Sequence, residues 1–265
     1  MPYISRIQRF SPDDGPGVRT TVFFKGCTLN CAWCHNPECL ETAERVAFYA
    51  ENCISCGSCG GKRSIPDIGC PANALRKDGF CMSAEEIVAE AAKDARYYKK
   101  VGGLTLSGGE PLMHADFIAD ICRIAKAQGI DVAIDTALNI PWENIEKVLP
   151  FSPLFLADIK AASRETHLRL TGADNALILE NLRNLAASKS RYWVSVPVIP
   201  GANTDELPAI SEIIAALPAP PEKVRLLPYH DMGIKKETIY ALPPRGRFVT
   251  PTAEEMRTYE KIFEL

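Results

Sequence analysis

The 265-residue sequence has no run of about 18 apolar residues, the length that a membrane-spanning helix needs, so no span is expected. Near its start it has no basic segment followed by an apolar stretch, so no secretory leader is expected. It also lacks an excess of positive charge. Its 30 Lys and Arg stand against 33 Asp and Glu, a formal net charge of −3, which gives no electrostatic basis for non-specific nucleic-acid binding. No internal repeat or low-complexity tract is present. Hydrophobic residues make up 46%, enough for the core of one large domain, or of one domain with an insert. Against these absences the ten cysteines acquire a meaning. Without a secretion signal a disulfide framework is not expected, and metal binding in a reducing cytoplasm is the better account.

Three of the ten, Cys27, Cys31 and Cys34, form a C-x3-C-x2-C run. Three thiolates at this spacing suit three corners of a [4Fe–4S] cube, which normally takes four cysteines. The fourth iron is then open to a substrate, which points to chemistry rather than to electron relay alone. The competing account is a zinc knuckle with His35 as fourth ligand. Zinc sites usually pair C-x2-C with a distant second pair, however, and adjacent Cys34 and His35 would coordinate under strain. A second group, Cys53, Cys56, Cys59 and Cys70, lies in a glycine-rich segment with little periodicity and too few apolar residues for a core of its own. It reads as an insert folded around metal. The run resembles a bacterial ferredoxin motif, although ten residues separate the last two cysteines where three are usual. One auxiliary [4Fe–4S] cluster is expected there, with a four-cysteine zinc site as the alternative. Cys39 and Cys81 are reserves that make no second full set, and Cys122 belongs to a helix and its core.

Elsewhere the pattern alternates strands and helices. Strands are expected at 20–24, 104–106, 130–135, 154–158, 192–199 and 224–227. Helices are expected from the Ser83–Glu86 capping box to about Lys100, and at 115–128, 142–149, 175–188 and 204–217, with a last one capped by Thr252 and Glu255. About six such units call for a parallel sheet with right-handed crossovers, and the chemistry then belongs at the C-terminal ends of the strands.

From the cysteine run outward the chain resembles the radical S-adenosylmethionine (SAM) enzymes. In more detail it is similar to the glycyl-radical-enzyme activases, the family of the pyruvate formate-lyase activating enzyme. The likeness rests on Asp14-Gly-Pro-Gly-Val-Arg19, Lys25-Gly26-Cys27, Cys34-His35-Asn36-Pro37, Ser107-Gly-Gly-Glu-Pro111, Asp135-Thr136, Asp158-Ile-Lys160, Leu170 to Asn175, Ile199-Pro-Gly201 and Leu227-Pro-Tyr-His230, in the family's order. Each is weak alone; their shared order over nearly the whole length is strong. The resemblance implies an α/β fold, a partial (β/α)6 barrel of the radical SAM type, with residues 1–50 and 83–265 forming the barrel and 51–82 a small ferredoxin-like insert. It implies SAM on the open iron and a partner glycyl radical enzyme as protein substrate, with flavodoxin or ferredoxin as electron donor, in the cytoplasm. A radical SAM enzyme acting on a small molecule or peptide is the alternative, and a plain iron–sulfur electron carrier is a third reading that leaves the SAM motifs unused.

The same resemblance distributes roles. Gly108, Gly109 and Glu110 would hold the amino group of the methionine moiety, where the plain reading is a β-to-α turn. Trp33 would lie near adenine, or cover the cluster from solvent. Asp135 and Asp158 would meet at the barrel mouth and bind the SAM ribose or, with Thr136, a monovalent cation. The competing account pairs Lys160 with one of the two carboxylates and needs no ion. Lys160 and His230 would stand near SAM, although a His after Pro-Tyr in a loop is more often a surface residue. Asp14 and Arg19 would seat the incoming partner loop. Ser195 departs from the pattern, since an arginine facing the SAM carboxylate is common at that place; serine removes a charge and a bidentate donor, and Lys160 would take over that contact.

Overall fold

The computed structural model describes residues 1–61, 65 and 69–263. Its strands are β1 (Ile4–Ser11), β2 (Arg19–Phe24), β3 (Arg45–Phe48), β4 (Leu75–Asp78), β5 (Gly103–Gly108), β6 (Asp131–Thr136), β7 (Leu154–Asp158), β8 (Tyr192–Val198) and β9 (Lys223–Pro228). Seven of them form one sheet in the order β1-β2-β5-β6-β7-β8-β9. From β2 to β9 every neighbouring pair is parallel, so the six expected β/α units are present. The sheet is a partial barrel, because β1 and β9 remain separate edges. Among the described residues no helix is long and apolar enough to cross a membrane.

Period-two alternation sorts the strand residues between two faces. Leu104, Leu106, Ile134, Phe155, Val194 and Val196 point outward and join Ile87, Ile118, Ile121, Leu182 and Ile210 of the helices in the main core. Ala133, Leu154, Leu156 and Trp193 make a small apolar cluster of their own on the other face. That face lines the inside of the barrel, and its residues further along the strands become polar.

Several elements depart from expectation. β1 was not anticipated. It is an antiparallel edge strand, and its basic residues are used: Arg6 lies 3.9 Å over the Phe23 ring, and Arg9 donates to Asp94 at 2.8 Å. The Ser83–Glu86 capping box forms, but its helix ends at Ala92 and a short turn of helix, Ala95–Tyr98, follows. The break falls at Asp94, whose buried carboxylate accepts the Thr20 hydroxyl at 2.8 Å as well as Arg9. A tertiary demand overrides local helix propensity there. The helix expected from Thr204 starts at Leu207, behind a 3-10 turn with Pro208 in its first turn. Helices Arg164–Thr171, capped by Ser163, and Ile234–Tyr240 were not expected.

The cysteine-rich segment is closed by the antiparallel β3–β4 pair, which opens at Arg45, before the expected start of the insert. Part of the expected 51–82 segment lies outside the described residues. The hairpin is fixed to the barrel by a buried ion pair. Lys25, at the end of β2, is fully enclosed; its Nζ donates to Asp78 Oδ2 at 2.8 Å and to the Glu38 carbonyl at 2.7 Å. Asp78 also accepts the Ser5 hydroxyl at 2.7 Å. Removing one partner of such a pair strands the other charge. Lys25→Met is therefore expected to lower unfolding stability by about 3–5 kcal/mol, whereas exposed Lys93→Ala should change it by about 0.5 kcal/mol or less. Anaerobic urea denaturation measures both; equal effects would contradict the role given to Lys25.

Candidate active site

β2 delivers the chain into an irregular loop that carries Cys27, Cys31 and Cys34. These three pack in one apolar cluster with Leu29, Trp33, Leu170, Ile199 and Tyr229. Burial pushes the Cys27 thiol up to about 12 and that of Cys31 to about 11, and Cys34 moves the same way. A metal replaces the proton in such a place and makes the thiolate tolerable. Cys39 is fully buried but stands with Glu38, Lys25, Arg6 and Lys236, so the trio has no fourth thiol from that side. His35 does not complete a zinc knuckle. Its ring stacks on His230 with centroids 3.7 Å apart, and burial, then His230, lowers its pKa to about 4. Among the described residues no three His, Cys, Asp or Glu side chains are grouped to hold a single metal ion. A cube takes one thiolate per iron and spaces its ligands more widely than one zinc ion does. The donor set thus fits a cluster with three protein ligands.

The Gly108–Gly109–Glu110 turn is built by close approach, but to the chain itself. Gly108 has φ +121°, and a Cβ there would lie 2.2 Å from the Phe24 carbonyl oxygen; one on Gly109 would lie 2.0 Å from that of Gly26. Glu110 N donates to Gly26 O at 2.7 Å. Glu110 is held by its own chain. Its side chain is fully buried and accepts bonds from Thr136 Oγ1 (2.9 Å), Ala137 N (2.9 Å) and Leu112 N (3.1 Å). It pins the end of β5 to that of β6. Burial raises its pKa to about 7 against those hydrogen bonds. Thr136 is equally committed, since its hydroxyl also accepts Leu138 N at 3.0 Å.

Inside the mouth, Asp135 accepts Ser107 Oγ at 2.6 Å and Asp158 accepts Lys160 Nζ at 2.6 Å. Burial opposes the charge of Lys160, but Asp158, Cys31 and Asp135 outweigh it and hold the ammonium above the ordinary lysine range. Burial, and then Asp158, pushes Asp135 up to about 6. The pairing of Lys160 with one of the two carboxylates is thus the arrangement present. Asn203, which drew no attention in the sequence, orients the Lys160 turn. Its buried Nδ2 donates to Lys160 O at 2.9 Å and Pro197 O at 2.7 Å, and its Oδ1 accepts Ile199 N at 2.9 Å.

Trp33 is buried and meets Phe248 edge-to-face at 6.2 Å, so it seals the cluster loop. His230 stands beside that loop through its stack on His35. Asp14 faces the lumen, where its Oδ2 accepts Ser11 Oγ at 2.6 Å and Thr21 Oγ1 at 2.8 Å. Arg19 is likewise held within the fold. It is fully buried at the start of β2, the opposite end from the cysteines. It donates to Thr105 Oγ1 at 2.6 Å and Leu104 O at 2.7 Å and pairs with Asp131 at 3.3 Å. It props the Asp14–Gly17 turn through the Pro16 carbonyl. In the insert, Cys53, Cys56, Cys59 and Cys70 all line one hollow closed by Phe48 and Leu75. The Ser58 hydroxyl lowers the thiol pKa of Cys56, and the backbone amide of Leu75 does so for Cys70. Cys81 is exposed away from them, near the Met1 carbonyl.

Residues 21–214 match the Radical SAM superfamily. Over 271 residues the chain is 35% identical to the (2S)-3-sulfopropanediol dehydratase activating enzyme of Klebsiella oxytoca, spanning 91% of this chain and 86% of that protein. It is 35% identical over 290 residues to the trans-4-hydroxy-L-proline dehydratase activating enzyme of Clostridioides difficile, spanning 99% and 96%. A solved domain of a pyruvate-formate lyase-activating enzyme from Bacteroides vulgatus superposes with a TM-score of 0.52 at 32% identity, over 61% of this chain and 92% of that one.

The electrostatics of the mouth give a pH dependence. The folded-state pKa of Asp135 lies above its unfolded value, so its contribution to stability is full below pH ~4 and is lost as pH rises through about 6. Asp135→Asn is therefore expected to stabilise the protein without SAM by about 1–2 kcal/mol at pH 8, a gain that fades as pH falls toward ~4. Thermal unfolding across that range checks it; a gain independent of pH would contradict the assignment.

Proposed function

We propose that this chain, which belongs to the radical SAM superfamily and within it to the glycyl-radical-enzyme activating enzymes, takes a hydrogen atom from a backbone glycine of a partner enzyme. One observation carries the reading. Three thiols without a fourth stand at the C-terminal ends of parallel strands, in a chain whose full length is similar to activating enzymes. When bound at Cys27, Cys31 and Cys34, a [4Fe–4S] cluster supplies the electron that splits the C5′–sulfonium bond of SAM, giving methionine and the 5′-deoxyadenosyl radical that collects the glycine hydrogen. The chain's own residues bind and exclude. Trp33 and its apolar neighbours keep water from the thiols, and Ala133, Leu154, Leu156 and Trp193 keep it from the lumen below. Asp135 offers a charged partner for the amino end of the methionine moiety, and Lys160, paired with Asp158, stands beside it. Asp14, on the loop beside the open edge, faces the space through which a partner segment enters; the glycine radical left there is delocalised over the flanking amides.

The four cysteines around one hollow support a single auxiliary [4Fe–4S] cluster in the insert, and flavodoxin or ferredoxin is the electron donor in this reading. The commitments of Thr136 to Glu110 and of Asp158 to Lys160 favour SAM binding without a monovalent cation.

Three measurements follow. A purified partner should gain a glycyl radical, seen by electron paramagnetic resonance, only with this protein, SAM and a reductant together. Cys27→Ala, Cys31→Ala or Cys34→Ala should abolish both that signal and 5′-deoxyadenosine release. Turnover of a small molecule by this chain alone would contradict the reading. Reconstituted protein should hold about eight irons and Cys70→Ser about four, each cube contributing four; about four irons with zinc in the wild type would exclude the auxiliary cluster. SAM affinity should be equal in potassium and tetramethylammonium buffers, and a requirement for potassium would restore the cation site.

A further inference from the structure

We infer that Arg225 is the residue that holds the carboxylate of SAM, an assignment that rests on the function proposed above. Strand register puts it in place. β7 pairs Asp158 with Ser195, and β8 pairs Ser195 with Arg225, so the three form one layer across the barrel, at the end of β7 and midway along β8 and β9. Trp193 belongs to the inner-face cluster, and Ser195, two residues on, faces the same way. Arg225 Nη2 donates to Ser195 Oγ at 2.7 Å, which brings the guanidinium to that inner face.

The charges of the layer are unequally satisfied. Lys160 has its anion in Asp158, and Asp135 has the Ser107 hydroxyl in contact and Arg225 as a more distant charge. Arg225 donates only to neutral oxygens, Ser195 Oγ and, at 2.9 Å, the Asp13 carbonyl. Among the described residues it forms no ion pair, and its Nε is buried without a hydrogen-bond partner. The guanidinium lies 5.4 Å over the Trp193 ring and feels Asp135 only at a distance, so it has no carboxylate in contact; a buried N–H without an acceptor is costly, and one carboxylate in contact would satisfy it. SAM brings two cationic centres, which a guanidinium repels, and one carboxylate, which its planar fork matches. The short Ser195 side chain leaves the room: a longer residue at 195 would fill the space into which Arg225 reaches from the next strand.

The test compares SAM with decarboxylated SAM, by equilibrium dialysis against the anaerobically reconstituted protein. The wild type should prefer SAM, and Arg225→Gln should lose roughly tenfold in SAM affinity while binding decarboxylated SAM unchanged. Arg225→Lys, which keeps the charge but not the fork, should fall between. The exchange Ser195→Arg with Arg225→Ser should recover most of the preference, because it returns a guanidinium to the same layer. Circular dichroism and iron content confirm that each variant is folded and loaded. Equal losses for both ligands, or no loss for either, overturn the assignment. So does unchanged SAM binding with a lower glycyl-radical yield, which would give Arg225 to a carboxylate of the partner segment. A wild type that binds no SAM removes the functional reading itself; one that binds SAM and its decarboxylated form equally removes only Arg225.

Discussion

The loop that carries the three thiols has almost no secondary structure, yet it is largely buried, so each of its backbone groups needs a partner from elsewhere in the chain. That constraint organises the top of the barrel. Gly26 N and Cys27 N donate to the carbonyls of Cys39 and Leu40, which folds the loop back on its own exit. Asn30 N and Ala32 N donate to Thr171 O and Leu170 O, at the end of a helix terminated by Gly172 in the left-handed region. The C-terminal segment closes the other side, where Gly246 N donates to Ala32 O and Arg245 to Cys31 O. Lys236 donates to the His35 carbonyl and pairs with Glu38. The motifs at Leu170 and Leu227, the strap after Pro244 and the start of the insert are thus all parts of one device that fixes three sulfur atoms.

Much of this was legible in the sequence because it is local. Cysteine spacing, capping boxes at Ser83 and Thr252, and apolar strands ending in Gly-Gly or Asp are readable from neighbours along the chain. The residues whose surroundings the sequence did not reveal take their partners from far along the chain. Glu110 and Gly109 look like ligands of a small molecule until Thr136 and Gly26 are seen against them. Arg19 looks like a docking residue until Asp131, more than a hundred positions away, encloses it. Asp94 ends a helix for the sake of Thr20 and Arg9. Arg225 gave no signal at all, since only the register of β8 and β9 joins it to Ser195. Of the insert, the shortage of core-forming residues was readable from composition, while the hollow shared by its four cysteines required the fold.

The barrel interior divides by chemistry along its length. Buried Arg19 and partly exposed Asp131 form a polar base, a few apolar side chains fill the middle with Arg225 reaching in beside them, and Ser107, Asp135, Asp158 and Lys160 surround the mouth. A polar mouth over a dry floor holds a charged cosubstrate by its ends and keeps its reactive carbon away from bulk water. The open edge between β1 and β9, with the Asp14–Gly17 turn beside it, leaves access for an extended segment of another protein.

The most direct measurement of the central claim is the fate of one hydrogen atom. A partner glycyl radical enzyme labelled with deuterium at its glycine Cα should, with this protein, SAM and reductant, pass a single deuterium into 5′-deoxyadenosine, as read by mass spectrometry. Unlabelled 5′-deoxyadenosine, formed at the same rate with and without the partner, would contradict the account.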